Sequence, residues 1–245
     1  MRPAECISFS VSRGPARGVH SNIWGQLSAP IDSHRPHRPA AAAGAKITNG
    51  DFARTDLPAH FDLAIGNPPF SDRTVKSDPA FRSLGFRLHD YFIGKAIDRL
   101  KPGGLAAFVT SSGTMDKADA RAREHIAGMA DLVGAIRLPE GSFRADAGTD
   151  VVVDILFFRK RRADEQAGDD RWVDLADASV AGEGGSVCIN RWFTDHPEMV
   201  LAAMRSVQVR SVRPTPASRL VMILKRTWTP RSVSYQPISM TVRLP

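Results

Sequence analysis

Apolar positions follow no sustained period over residues 1–45, and become ordered from Lys46 onward. Residues 46–48 read as the end of a strand running into Asn49-Gly50-Asp51. Residues 61–65 read as a short apolar strand that stops at Gly66-Asn67-Pro68-Pro69, because two consecutive prolines cannot donate to a ladder. Leu88, Tyr91, Phe92, Ala96 and Leu100 share one stripe at helical spacing and predict an amphipathic helix over 88–100. Lys101-Pro102-Gly103-Gly104 ends it, and 105–110 comes next as a buried strand. Met115, Ala118, Ala122, Ile126 and Met129 predict a second helix over 116–130. Strands at 132–138 and 151–159 come after it, separated by a polar turn through 141–148. Strand–helix alternation of this kind predicts an α/β fold with a parallel sheet. The last two strands lack a helix-length connection, so their pairing is expected to be antiparallel.

Composition narrows the class. The chain has 245 residues, 42% apolar and 24% charged, which is globular composition. No apolar run reaches the roughly 18 residues of a membrane span. The N-terminus shows no secretion signal, and Cys6 and Cys188 cannot build a disulfide framework, so a reducing cytoplasm is the expected location. The net charge of +7 belongs to the ends. Residues 1–45 carry five arginines against Glu5 and Asp32, and 199–245 carry seven arginines and Lys225 with no Asp or Glu. The chain divides into four segments: an irregular basic stretch at 1–45, an ordered region at 46–162, an acidic, Gly-rich surface excursion at 163–198, and a basic tail at 199–245.

The most informative stretch is Asn67-Pro68-Pro69-Phe70. With prolines at ~5% of residues, an Asx-Pro-Pro-aromatic tetrapeptide should arise by chance in well under about one chain in a hundred of this length. It leaves the carboxyl end of a strand, where open α/β sheets place their ligand sites. An exocyclic amine conjugated to a ring is a poor nucleophile, because its lone pair is delocalised. The Asn67 side-chain oxygen and the Pro68 carbonyl can each accept one N–H of such an amine and favour the pyramidal nitrogen of the transition state. Pro69 stiffens the turn, and Phe70 offers a stacking face for a base. The competing account is a proline-stiffened turn with no chemistry.

These residues carry a family resemblance. Asp-Leu-Ala-Ile-Gly-Asn-Pro-Pro-Phe at 62–70 resembles the target-amine motif of S-adenosylmethionine-dependent N6-adenine DNA methyltransferases. The segments His89-Asp90-Tyr91-Phe92-Ile93, Leu100-Lys101-Pro102-Gly103-Gly104, Phe108-Val109-Thr110, 138–143 and 148–160 are similar to the helix, turn and strands downstream of that motif in the family. The likeness covers roughly 46–162. It is nearest to the methylase domains of type I modification subunits, and more narrowly to large phage or plasmid proteins joining a methylase to a helicase, some linked to anti-restriction. It implies a partial Rossmann-like methyltransferase sheet, from the third strand onward, between irregular basic tails. It implies S-adenosylmethionine as cofactor, DNA as substrate, and a helicase module or specificity subunit as partner, with no membrane and no metal. Asn67, Pro68, Pro69 and Phe70 would be catalytic, and Asp51 with Phe52 would contact the cofactor. Asn-Gly-Asp is also simply a good turn.

The departures matter as much. The family's glycine-rich turn after the first strand has no clear counterpart. Ile7, Phe9 and Val11 alternate ahead of Gly14-Pro15-Ala16-Arg17-Gly18, and Asp32 lies at near the ~20-residue spacing of dinucleotide folds. Pro15 and Arg17 fill that loop, so an irregular segment is expected instead. A sheet begun at the third strand would leave the 61–65 strand with an unpaired apolar edge. The tail's composition fits translation out of frame, against which stands a hairpin about Gln236-Pro237; 1–45 would share that origin. Arg73, Lys76, Arg82 and Arg87 are either DNA contacts or a solvated loop. His34 and His37 are expected to be loop residues, not metal ligands. Two other functions stay open: methyl transfer to RNA or to a protein glutamine, and a non-catalytic, basic nucleic-acid-binding remnant.

Overall fold

The computed structural model describes residues 5–11, 22–28, 46–142, 151–179, 186–201, 206–207 and 221–222. The fold is α/β, built on a mixed seven-stranded sheet of order β3-β2-β1-β4-β5-β7-β6. Its strands are β1 Glu5–Val11, β2 Asn22–Ser28, β3 Lys46–Gly50, β4 Phe61–Gly66, β5 Leu100–Ser111, β6 Ala130–Arg137 and β7 Val153–Lys160. Helix α1 (Leu88–Asp98) joins β4 to β5, and α2 (Gly113–Asp116) and α3 (Arg121–Ala127) join β5 to β6. The 116–130 helix of the sequence pattern is therefore two short helices.

β1, β4 and β5 are parallel, and β7 lies antiparallel between β5 and β6, as expected for two strands with no helix between them. The 1–45 segment is not wholly irregular. β1 pairs with β4 through Cys6↔Leu63 to Phe9↔Gly66, and β2 pairs antiparallel with both β1 and β3. The two strands expected to be missing are thus filled, and the edge of β4 is paired. Only 10 residues separate β1 from β2, too few for a crossover helix, so the chain returns as a meander. His34, His37, Gly14-Pro15-Ala16-Arg17-Gly18 and Gln236-Pro237 lie outside the described residues.

One core holds the sheet and helices together. Phe61, Ala64, Ile93, Ile97, Ala106, Phe108, Ile126, Leu132, Leu156 and Phe158 all fall below a tenth exposed. α1 is buried from His89 to Ile97, more than one stripe demands. The reason is the 71–86 excursion, whose Phe81 and Phe86 rings close over Gly94 at 3.6 and 3.8 Å from where a β-carbon would stand. β5 begins at Leu100 and runs through Lys101-Pro102-Gly103-Gly104, with a register shift against β4. Gly103 takes φ +82°, and a β-carbon on Gly104 would meet the Lys101 carbonyl at 2.9 Å, so glycine is required at both. Alternation along β5 buries Ala106, Phe108 and Thr110 under the helices and leaves Leu105 on the other face, 49% exposed. The 105–110 strand is covered on one face only among the described residues.

Residues 166–170 of the 163–198 segment are exposed, as its composition predicts, but the segment does not stay at the surface. It contains a hairpin of β8 (Leu175–Ser179) and β9 (Ser186–Asn190), followed by α4 (Arg191–Asp195). Trp172, Ala178, Val187, Ile189 and Phe193 join the main core. In the tail, Ser206–Val207 (β10) pairs with Val221–Met222 (β11).

Candidate active site

The site is assembled at one edge of the sheet. β1 and β4 run parallel, and β3 points the same way, because β2 is antiparallel to both β1 and β3. The carboxyl ends of β3 and β4 therefore lie at the same edge, with Asp51 after the first and Asn67 after the second. Open α/β sheets bind ligands at this edge.

Asn67 is exposed, Pro68 is buried and Pro69 half-buried, so the prolines anchor the turn while the amide faces solvent. Phe70 comes next with 38% of its surface exposed, although a phenyl ring gains by burial. The chain then loops back through a bridge between Thr74 and Arg87. Arg73, Lys76 and Arg82 are exposed, whereas Arg87 is committed to Asp72 at 2.8 Å.

Asp51 opens a tight turn. Its carboxylate accepts the Ala53 amide at 2.9 Å, and its carbonyl accepts the Arg54 amide at 3.0 Å. This satisfies the Asn-Gly-Asp turn chemistry and still leaves the side chain 49% exposed. The Phe52 ring has no exposed surface; it stacks on Phe92 at 4.6 Å and meets Tyr91 edge-on at 6.2 Å. It supports the site from beneath. Between the turn and the loop lies a cleft of about 230 Å³, with Asp51 and Ala53 on one side. Ser71 and residues 73–77 stand opposite, over a floor of Leu88, Tyr91 and Phe92. The structure thus brings Asp51 and the loop after Phe70 to one cleft.

Sequence patterning does not single out the polar groups below the cleft. Lys95, buried on α1, donates to Asp78 at 2.9 Å, and the Tyr91 hydroxyl donates to the same carboxylate at 2.8 Å. Burial works against the Asp78 charge, yet the hydrogen bonds from Lys95, Tyr91 and the Ala80 amide hold its carboxyl below the usual range. Burial, and donation to Asp78, push the Tyr91 hydroxyl up. In the first turn of α1, His89 and Asp90 are both buried, with Nε2 and Oδ1 3.4 Å apart. Burial lowers the His89 pKa and raises that of Asp90, which favours the neutral form of each. Thr110, at the end of β5, is hydrogen-bonded to Thr114 at 3.0 Å. The one signal in the sequence is His89, Asp90 and Lys95 set among the apolar residues of α1.

A purine nucleoside offers two apolar ring faces, donor amines and ribose hydroxyls. Val75, Leu88 and the aromatic floor suit the first, and the half-exposed Asp51 carboxylate suits the others. Among the described residues no cluster of His, Cys, Asp and Glu could hold a metal ion, and no helix is long and apolar enough to cross a membrane.

Residues 39–185 match the family model described as N-6 DNA Methylase. The chain is 33% identical over 107 residues to the Defense against restriction protein B of Escherichia phage P1, covering 42% of this chain and 5% of the phage protein. A modification subunit assigned to a type I restriction enzyme of Vibrio vulnificus YJ016 aligns with 27% identity and a TM-score of 0.36, over 40% of this chain and 22% of its own. The type I restriction-modification methyltransferase subunit of Streptococcus thermophilus aligns with 22% identity and a TM-score of 0.39, over 47% and 28%. The chain therefore spans a small part of each relative's length.

Proposed function

The chain belongs to the N-6 DNA methylase family, and from that premise we propose that it transfers a methyl group from S-adenosylmethionine to the N6 amine of adenine in DNA. One observation carries this reading: Asn67-Pro68-Pro69-Phe70 leaves β4 at the sheet edge that also holds the Asp51 cleft.

S-adenosylmethionine would supply a methyl group on a positively charged sulfur, an electrophile that needs no metal. Asp51 would accept from the nucleoside of the donor, and Val75 and Leu88 would flank its ring. Phe52 would keep the aromatic floor in place. Target adenine, taken out of the duplex, would stack on Phe70. The Asn67 side-chain oxygen and the Pro68 carbonyl would accept its two N–H bonds and draw the nitrogen toward a pyramidal shape. Both acceptors are neutral, so they can bind the amine without first removing a proton. Transfer would form the N–C bond as the donor's S–C bond breaks, with the amine's proton released to water at the exposed Asn67 edge. Exposed Arg73, Lys76 and Arg82 would meet phosphates. DNA sequence recognition would fall to a companion, a specificity subunit or helicase module.

The test is transfer of labelled methyl groups to unmethylated DNA, to RNA and to a glutamine peptide. Label should appear as N6-methyladenine in DNA alone. Asn67→Ala should abolish it while donor affinity stays within about threefold, a change of about 0.7 kcal/mol. Turnover by that variant would remove the assignment, and absence of donor binding by the wild type would favour a non-catalytic nucleic-acid-binding protein.

A further inference from the structure

Two segments distant in sequence converge on one buried ammonium. Lys95 Nζ donates to the carbonyls of Phe52 at 2.8 Å and Thr55 at 3.1 Å, in the turn that Asp51 opens. It donates again at 2.9 Å to Asp78, within the 71–86 excursion and next in sequence to the 73–77 wall. An ammonium has three donors, and each of these acceptors takes one. Lys95 is 3% exposed and stands 5.1 Å from the centre of the Phe52 ring.

A buried charge is costly unless fully partnered, and an apolar side chain of similar volume often stabilises a core as well as an ion pair does. Stability alone therefore does not call for lysine here. What the ammonium adds is a fixed distance between the turn and the loop, which are the two walls of the cleft. We propose that Lys95 is a positioning residue that sets the separation of these walls and thereby the affinity for the methyl donor; the second half rests on the cleft being the donor's site. Arginine would not substitute, because its planar fork cannot meet three acceptors converging on one atom.

The test uses the full chain and three variants, Lys95→Met, Lys95→Arg and Lys95→Met/Asp78→Asn. The double variant removes the carboxylate that Lys95→Met would strand, and should melt near the wild type. Calorimetric titration with S-adenosylmethionine should show donor affinity reduced about tenfold in all three. Hydrogen exchange should show the bonded amides of Ala53 and Arg54 in the Asp51 turn, and of Ala80 and Arg82 in the turn that Asp78 opens behind the other wall, losing protection together, with β5 and β7 unchanged. A double variant that binds the donor as the wild type does would overturn the proposal and leave the methyltransferase reading intact. Should the wild type bind no donor, that reading fails, and exchange alone decides: joint loss of protection keeps Lys95 as the wall-setting residue, and unchanged protection removes it.

Discussion

Phe70 is held out toward solvent by a backbone that has little freedom to do otherwise. Pro68 is buried, Pro69 is half-buried, and the two fix the path on which the ring emerges. Its 38% exposure makes it available for stacking and of small consequence to the core. Phe70→Ala should therefore weaken binding of DNA carrying a mismatched target adenine by about 1–3 kcal/mol, the usual size of a lost base–aromatic stack. Melting should barely change, and equal affinity of the two proteins would rule out the ring as the stacking face. The motif was legible in the sequence because its chemistry is local, four adjacent residues on one turn. Lys95 was not, because its acceptors lie 43, 40 and 17 residues away and only the fold brings them together. Phe52 shows the intermediate case. Its position beside Asp51 was readable, but its burial between Phe92 and Tyr91 depends on where α1 packs.

Among the elements, the hairpin of β8 and β9 is fastened to the sheet by a buried charge cluster. Arg137, at the end of β6, makes a bidentate pair with Asp154 of β7, at 2.8 Å to each oxygen, and reaches Asp116 at 2.8 Å. Its guanidinium lies 4.1 Å from the Phe193 ring centre. Burial works against this charge, but Asp154 and Asp116 outweigh it and keep the arginine protonated. Asp116 also accepts the Asn190 amide at 2.9 Å, and the Asn190 side chain donates to the Met115 and Trp172 carbonyls at 3.0 and 2.7 Å. Arg137→Met leaves the buried Asp154 carboxylate and the half-buried Asp116 carboxylate without their cation, and should cost about 3–5 kcal/mol in denaturant unfolding. A loss under about 1 kcal/mol would mean the cluster is not holding the hairpin. The sequence pattern missed this element because Asp164, Asp169 and Asp170 dominate its composition, while the buried contacts come from a few residues spread between Trp172 and Phe193. β1 and β2 were missed for another reason: a strand is stabilised by its neighbour's ladder, and the neighbours of β1 are β2 and β4.

At the scale of the molecule, helices α1 and α3 and the 71–86 excursion close over one another, and their junction titrates. His125 of α3 packs edge-on against Phe81 and Phe86 at 5.8 and 5.3 Å. Burial lowers its pKa below the ordinary value, Asp98 only partly opposing. The unfolded chain therefore takes up this proton at a higher pH than the folded one, and stability rises with pH through the window below about 6.5. Between pH of about 7 and about 5 the wild type should lose more melting temperature than His125→Gln. Parallel pH profiles would show that the imidazole is not buried in the folded protein.

The sequence by itself determined the Asn-Pro-Pro-Phe turn, the acidic turn at Asp51, the α/β alternation from β4 onward and the antiparallel return of β7. These arise from backbone chemistry and periodicity within a few residues. Tertiary structure decided the rest: β1 and β2 completing the sheet, the hairpin of β8 and β9 entering the core, and α1 buried on all sides. It also decided the cleft, whose walls come from separate segments that meet because β3 and β4 end at the same edge. Ladder pairing, burial of scattered apolar residues and satisfaction of a buried charge are properties of contacts, and contacts between distant residues exist only once the chain has folded.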